Sequence, residues 1–376
     1  MKKILIISMN HVCCDARLYY KIVRSLQKKD AHIVLANNSN ELHDYAVTDI
    51  QSKVSHSRSK ISTFVNFFIK AFKFKPDIVI SVEPLTLIAG YLLKKILKCR
   101  FVYDNHEFYS EAFKDKLIEL SYGNFIATYL SKLYSRYEIY FASKTDAIIS
   151  VNDHLVNQLK QANPNTYLCA NYLNNDLLDM HMNENYDNKV YDLIYIGSIA
   201  FERGLMIYLK TARLFKENNK NYKFLIIGKF KDISTESYFL NYIKQYKLEN
   251  FIIYKEYMLH EQVLNYIDKS KLGVYMGNAI QCPKYHKTIN MKIFEYFSKA
   301  VPVIVNNLSM LSDLVNKSQS GWVVNYCSKE LYNIAVKLLN DNELIKEKGV
   351  LAYNFAKDKC IWELQEQDLY KAVFGE

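Results

Sequence analysis

The sequence predicts an α/β protein of two doubly wound lobes, each a parallel sheet covered by helices, facing a cleft between them. Three observations predict it. Short apolar runs alternate with helix-like runs from one end of the chain to the other, the pattern of parallel strands joined by crossover helices. At 376 residues the chain is too long for one compact core and suits two domains of ordinary size. The alternation breaks once, at Leu173–Lys189, a stretch rich in Asn and Asp that reads as a linker.

In the first lobe the strand-like runs are Lys3–Ser8, Ala31–Ala36, Asp77–Val82, Arg100–Tyr103, Ala147–Val151 and Tyr167–Ala170. A helix through Tyr20–Lys28 separates the first two. In the second lobe the strands are Val190–Ile196, Lys223–Ile227, Phe251–Tyr254, Leu272–Tyr275, Val301–Val305 and Gly321–Asn325. Helices at Leu205–Lys216, Glu236–Tyr246 and Gln262–Ser270 alternate with them, and helical sequence fills the chain from Lys329 onward. The expected domains are 1–172, a linker at 173–189, 190–356, and a C-terminal helix at 357–376 that packs back on the first domain.

Half of the residues are hydrophobic, enough for a core in each lobe. Seven cysteines without a C-x-x-C pattern point to a reducing, cytosolic compartment rather than a disulfide or zinc framework. The apolar run after Met1-Lys-Lys is too short for a signal peptide, and no run reaches bilayer length. A net charge of +10 calls for an acidic partner: a phosphorylated substrate, nucleic acid or an anionic membrane. No recognition motif supports nucleic acid. Lys60–Lys75 carries Ile61, Phe64, Val65, Phe68 and Phe72 at helical spacing among lysines. That suits a peripheral contact with the inner face of an anionic membrane, or a helix packed on the first sheet.

In open parallel sheets ligands bind beyond the carboxyl ends of strands. The residues there are Asn10 and His11; Glu83; Asp104, Asn105, His106 and Glu107; Asn152; Gly197 and Ser198; Gly228; and Gly277 and Asn278. The segment Lys284–Val305 is a second focus. Thr288 reads as the cap of an amphipathic helix whose free N–H groups suit a phosphate, with Lys287 and Lys292 nearby. Glu295 can accept two sugar hydroxyls, though its spacing to Lys299 also fits a solvated surface pair.

The runs Tyr191-Asp-Leu-Ile-Tyr-Ile-Gly-Ser-Ile, Phe201-Glu-Arg-Gly-Leu and Lys292-Ile-Phe-Glu-Tyr-Phe-Ser-Lys-Ala-Val-Pro-Val-Ile resemble the C-terminal lobe of group 1, or family 4, retaining glycosyltransferases. Val102-Tyr-Asp-Asn-His-Glu is similar to the strand end of the subgroup with a D-x-H-E signature. Asn10 through Asp15-Ala-Arg17 resembles its first acceptor-side loop. The similarity spans essentially the whole chain, in order. It implies two Rossmann-like lobes of the GT-B architecture and metal-independent transfer of a sugar from a UDP- or GDP-linked nucleotide-diphosphate sugar. The implied acceptor is a glycan or lipid-linked molecule in bacterial surface polysaccharide synthesis. The donor is a substrate, and no cofactor is implied.

By the same resemblance, Glu295 holds the donor ribose, Arg203 grips the diphosphate, Gly204 lets backbone approach it, and His106 faces the donor sugar. Read from its residues alone, Arg203 also fits an exposed residue opening a surface helix, and His106 a turn or core histidine held by Asp104. Gly197, Ser198, Gly228, Lys287, Thr288 and Lys292 complete the donor side. Asn10, His11, Asp15, Arg17, Glu83, Asp104 and Glu107 form the acceptor side. Two positions depart from the family pattern: Lys287 stands where many members have Glu, and Ser198 where many have Arg. An epimerase of the same fold and a nucleotide-sugar-binding subunit of a transferase complex are the alternatives.

Overall fold

The computed structural model describes residues 1–9, 11, 15–37, 42–44, 68–69, 71–178 and 189–375. The chain forms two compact units, Met1–Asn171 with Trp362–Glu376, and Tyr172–Ile361.

Unit 1 has the strands β1 (Lys2–Ile7), β2 (Ala31–Ala36), β3 (Leu42–Asp44), β4 (Ile78–Val82), β5 (Arg100–Asn105), β6 (Ala147–Ser150) and β7 (Thr166–Leu168). They are ordered β3-β2-β1-β4-β5-β6-β7. All neighbours are parallel except β3, which pairs antiparallel with β2. Side chains alternate between faces along a strand, so both faces of these apolar runs must be covered. On one face Ile4, Ile6, Ile80 and Val102 pack with Leu18, Ile22 and Leu26 and with the C-terminal Leu369 and Val373. Leu18–Val23 is a π-helical turn that continues as the α-helical Arg24–Gln27, together α1. On the other face Leu5, Ile7, Val79 and Phe101 pack with Leu87, Leu93, Ala142 and Leu159. These come from α2 (Leu87–Leu97), α4 (Asn124–Ala142) and α5 (Asp153–Lys160), while α3 (Tyr109–Glu119) precedes α4.

Unit 2 has β8 (Tyr191–Ile196), β9 (Phe224–Ile227), β10 (Ile252–Lys255), β11 (Ser270–Tyr275), β12 (Val303–Asn306) and β13 (Gly321–Val324), all parallel in the order β10-β9-β8-β11-β12-β13. Its helices are α6 (Leu205–Glu217), α7 (Ile233–Tyr246), α8 (His260–Asp268), α9 (Lys292–Ser298), α10 (Ser309–Ser318), α11 (Ser328–Leu339) and α12 (Asn342–Lys359). A last helix, α13 (Glu366–Phe374), belongs to unit 1. Both units are thus doubly wound α/β folds, with the strand order reversing at β1/β4 and at β8/β11.

The boundaries differ from those read in the sequence. Leu173 and Leu178 sit in the core of unit 2, and Tyr353 donates to the Leu178 carbonyl at 2.7 Å. The start of the Asn- and Asp-rich stretch is therefore packed structure, because its few apolar residues found a hydrophobic surface. Residues 179–188 of that stretch lie outside the described residues. The break expected at 356/357 falls inside α12, and the chain changes unit at Ile361/Trp362.

Candidate functional site

Each unit gathers polar residues at the strand ends where its strand order reverses, where ligands of open α/β sheets bind. In unit 1, Glu83 follows β4 with a positive φ of 64°, a strained conformation for a non-glycine residue. Its buried carboxylate accepts from Ser8 Oγ at 2.9 Å and from Met9 N–H at 3.1 Å, and lies 3.3 Å from His11 Nε2. His11 Nδ1 is 3.0 Å from Asp15. Asp15 Oδ1 also accepts the N–H groups of Arg17 and Leu18, at 2.8 and 2.9 Å, which caps the π-helical turn.

Arg17 is buried and lies across Asp104, with Nη2 2.7 Å from Oδ1 and Nε 3.2 Å from both oxygens. Its other arm donates to Cys169 O at 2.6 Å and Asn171 Oδ1 at 2.8 Å. His106 Nε2 makes a short contact with Asp104 Oδ2. Burial alone would protonate Asp104, but Arg17 and His106 hold its pKa far below the usual carboxylate range. An ionised Asp104 can only accept, so His106 Nε2 carries the ring proton and Nδ1 is left as an acceptor. Burial lowers the pKa of His106 and outweighs Asp104. For His11 burial is also the largest influence, yet Asp15, Glu83 and Asp104 together raise its pKa. The two rings meet edge to face at 5.0 Å. The cluster therefore pairs a more basic histidine with a less basic one.

In unit 2, Arg203 closes a 3₁₀ turn, Phe201–Arg203, ahead of α6. It is partly buried, beside Tyr195 with Tyr285 and Tyr275 nearby, and no ion pair joins it to a carboxylate among the described residues. Tyr195 donates to the carbonyl of the exposed Ser198 at 2.8 Å. Gly204 has φ 89°, and a Cβ there would lie 2.2 Å from the Met276 carbonyl. Its side-chain position therefore faces protein, and the glycine is required by close packing of α6 on the β11 end. A Cβ on Gly228 would lie 1.8 Å from the Gly197 carbonyl. Gly228 thereby lets the ends of β8 and β9 approach.

Glu295 lies on α9 and is only 4% exposed, which overturns the surface-pair reading with Lys299. Its Oε1 is 2.8 Å from Lys292 Nζ and 3.3 Å from His260 Nε2. Its Oε2 is buried without a hydrogen-bond partner. Burial favours the protonated acid, but His260 and Lys292 outweigh it and lower the pKa. The result is a buried carboxylate with one unused acceptor.

Thr288 does not cap a helix start. It ends the 3₁₀ turn Pro283–Lys287, and its hydroxyl donates back to the Lys284 carbonyl at 3.2 Å. Helix α9 begins four residues later, where Asn290 Oδ1 takes the Lys292 N–H at 3.0 Å. Lys287 closes the same turn and is half-buried. The segment reaches the surroundings of Arg203 through Tyr285 rather than through a helix terminus.

Of the remaining strand-end residues, Asn152 caps α5 by accepting from Leu155 N, and Glu107 is exposed. Gly277 is held on both its N–H and C=O by the Asn306 side chain at 2.9 Å. Asn10 lies outside the described residues, as do 60–67 and 70 of the proposed membrane segment. In that segment Phe68 packs on the first sheet, while Phe72 is exposed. Sequence reasoning missed His260, Asn171 and the tyrosines around Arg203. Only the Lys292–Glu295 pair, at i, i+3, had a local signal. Among the described residues no cluster of His, Cys, Asp and Glu has the arrangement of a metal site, and no helix is long and apolar enough to cross a membrane.

Comparison with known proteins gives two family matches. Residues 179–355 match the model described as glycosyl transferases group 1, and residues 16–166 the model for glycosyltransferase family 4. A search of curated proteins found no match. Among solved structures, sucrose-phosphate synthase from Thermosynechococcus elongatus superposes with a TM-score of 0.73 at 13% identity, over 100% of both chains. Anabaena HepE in complex with UDP-glucose gives 0.72 at 14%, again over 100% of both chains. WaaG, a glycosyltransferase involved in lipopolysaccharide biosynthesis, gives 0.68 at 12%, over 99% of this chain and 100% of that one. At these identities the likeness is one of fold.

Proposed function

Because the chain belongs to the group 1 glycosyltransferases, we propose that it is a retaining, metal-independent member of the D-x-H-E subgroup. It moves a sugar from a UDP- or GDP-linked donor to a glycan or lipid-linked acceptor, in the synthesis of a bacterial surface polysaccharide. One observation carries the reading: Glu295 is a buried carboxylate with its pKa lowered and one oxygen unpartnered. A buried acceptor without a donor is costly. The two hydroxyls of a ribose are donors of the right kind. The HepE complex with UDP-glucose, on the same fold, supports a donor of this class.

The barrier lies in breaking the bond between the anomeric carbon and the leaving phosphate, which gathers negative charge on the diphosphate. Arg203, partly buried and joined to no carboxylate among the described residues, supplies a fixed cation for that charge, and its planar fork suits two phosphate oxygens. Its tyrosine surroundings position it with little to compete for its charge. In unit 1 His106 is the catalytic candidate, held by Asp104 with its other nitrogen as acceptor. His11, Asp15 and Glu83 provide acceptor-side hydrogen bonds. Retention follows when the acceptor attacks from the side the phosphate leaves, the phosphate itself taking the acceptor proton, so no enzymic nucleophile is assigned.

A thermal-shift screen of nucleoside diphosphates and their sugars identifies the donor. With that donor, Arg203→Ala should lower turnover by about 10²–10³-fold with an unchanged melting curve. Undiminished transfer by the folded variant would refute the role. Retention is read from the anomeric configuration of the product, and metal independence from activity in the presence of a chelator.

A further inference from the structure

Two neighbouring helices of unit 1 expose apolar side chains that sugar transfer does not use. On α4, Phe125 is 86% and Tyr129 57% exposed, with Ile126, Leu133 and Tyr140 also exposed. These positions and Lys132 and Arg136 lie on one side of the helix at 100° per residue, while Ala127, Glu138 and Ala142 on the other side are buried. On α2, Ile88, Leu92 and Ile96 recur every fourth residue and are exposed. The helices touch where Tyr91 meets Phe141 at 5.7 Å, and both cover the same sheet face.

The charges on these helices have one sign. From Leu85 to Arg100, and again from Leu120 to Thr145, the only acidic residue is Glu138, which is buried. Lys95, Lys98, Lys132, Arg136 and Lys144 are all exposed. A face that meets only water normally interleaves both signs. Two copies of this face would bring cations against cations, which disfavours self-association. Aromatic and aliphatic side chains set among cations, with no exposed carboxylate on α2 or α4 themselves and Asp115 and Glu119 exposed on the adjoining α3, match the chemistry of an anionic lipid surface.

We propose that the α2–α4 face of unit 1 docks on an anionic bilayer. Phe125 and Tyr129 enter the boundary between headgroups and acyl chains, and Lys132 and Arg136 meet lipid phosphates. The docking stands apart from the transfer reading, since it needs neither Arg203 nor Glu295.

Flotation of the full chain with vesicles tests it. Binding is expected to vesicles enriched in phosphatidylglycerol, to fall with added salt, and to be absent with pure phosphatidylcholine. Lys132→Glu with Arg136→Glu should cut the partition coefficient about tenfold or more. Phe125→Ser with Tyr129→Ser should weaken binding while keeping its salt dependence. All four side chains are exposed, and unchanged melting curves confirm that the variants fold. The proposal is overturned by no binding at low salt, by equal binding to neutral vesicles, or by binding that both double variants retain. A dimer in solution that Phe125→Ser with Tyr129→Ser dissolves would instead make the face a self-interface and overturn it as well.

Discussion

Glu138 and Glu295 are both buried, yet their surroundings push them in opposite directions. For Glu295, burial is outweighed by His260 and Lys292, and the carboxylate stays charged. Glu295→Gln replaces one acceptor by an N–H donor, so we expect donor KM to rise about 10- to 100-fold with a smaller change in kcat. An unchanged KM would remove the residue from the donor site. For Glu138 burial prevails over hydrogen bonds from Tyr103 and Asn105, and the pKa is pushed up to about 7 from 4.5. A raised carboxyl pKa means that folding takes up protons. The stability it contributes is complete below the unfolded value and is lost as pH rises through the folded one. Between pH 4.5 and 7, wild type should lose on the order of 3 kcal/mol that Glu138→Gln does not lose. Denaturant unfolding of both proteins at pH 5 and pH 8 reads the difference, and parallel pH profiles would count against the assignment.

Among the elements, the turn before α6 is the most constrained. Gly204 has a left-handed φ, and a Cβ there would overlap the Met276 carbonyl. Gly204→Ala therefore meets both backbone strain and a backbone clash that no rotamer relieves. We expect a loss of at least about 2 kcal/mol in denaturant unfolding, and a loss under 0.5 would show that the turn yields easily. Helix α9 shows the reverse, a short element whose start is set from outside. Its seven residues are too few for a stable isolated helix. Ile293, Phe294, Tyr296 and Phe297 are all buried, and Tyr296 Oη accepts from Ile196 N–H at 3.0 Å. Packing against β8, which ends at Ile196, holds the helix and fixes where Glu295 points.

In the whole molecule the chain leaves unit 1 at Asn171 and returns to it at Trp362. The return is well anchored. Trp362 Nε1 donates to Ser25 Oγ at 2.8 Å, and Gln365 exchanges hydrogen bonds of 2.7 and 2.9 Å with the Ala170 backbone. Leu369 and Val373 fill the core beneath α1. A chain ending at Ile361 would uncover that apolar face. We expect it to lose the unfolding transition of unit 1 while unit 2 still binds nucleotide with its own transition. A truncated chain with the full unfolding profile would show that α13 adds nothing to the core.

By itself, the order of apolar runs determined the two α/β sheets, because a strand buried on both faces needs an uninterrupted apolar run. It also determined which residues stand at strand ends, His106 beside Asp104 and Gly197 beside Ser198 among them, because those follow directly from where each run stops. Strand β3 escaped notice, since its sequence Leu42-His-Asp holds a single apolar residue and forms no apolar run. Partners distant in the chain were decided only by tertiary structure: Arg17 with Asp104, 87 residues apart, His260 with Glu295, and the tyrosines around Arg203. Local patterning reports which side of an element will be buried, and the pairing of polar groups depends on which elements are brought together. Thr288 shows the same limit. It had the chemistry of a helix cap, but packing started the helix at Lys292, where Asn290 and the buried aromatic residues placed it.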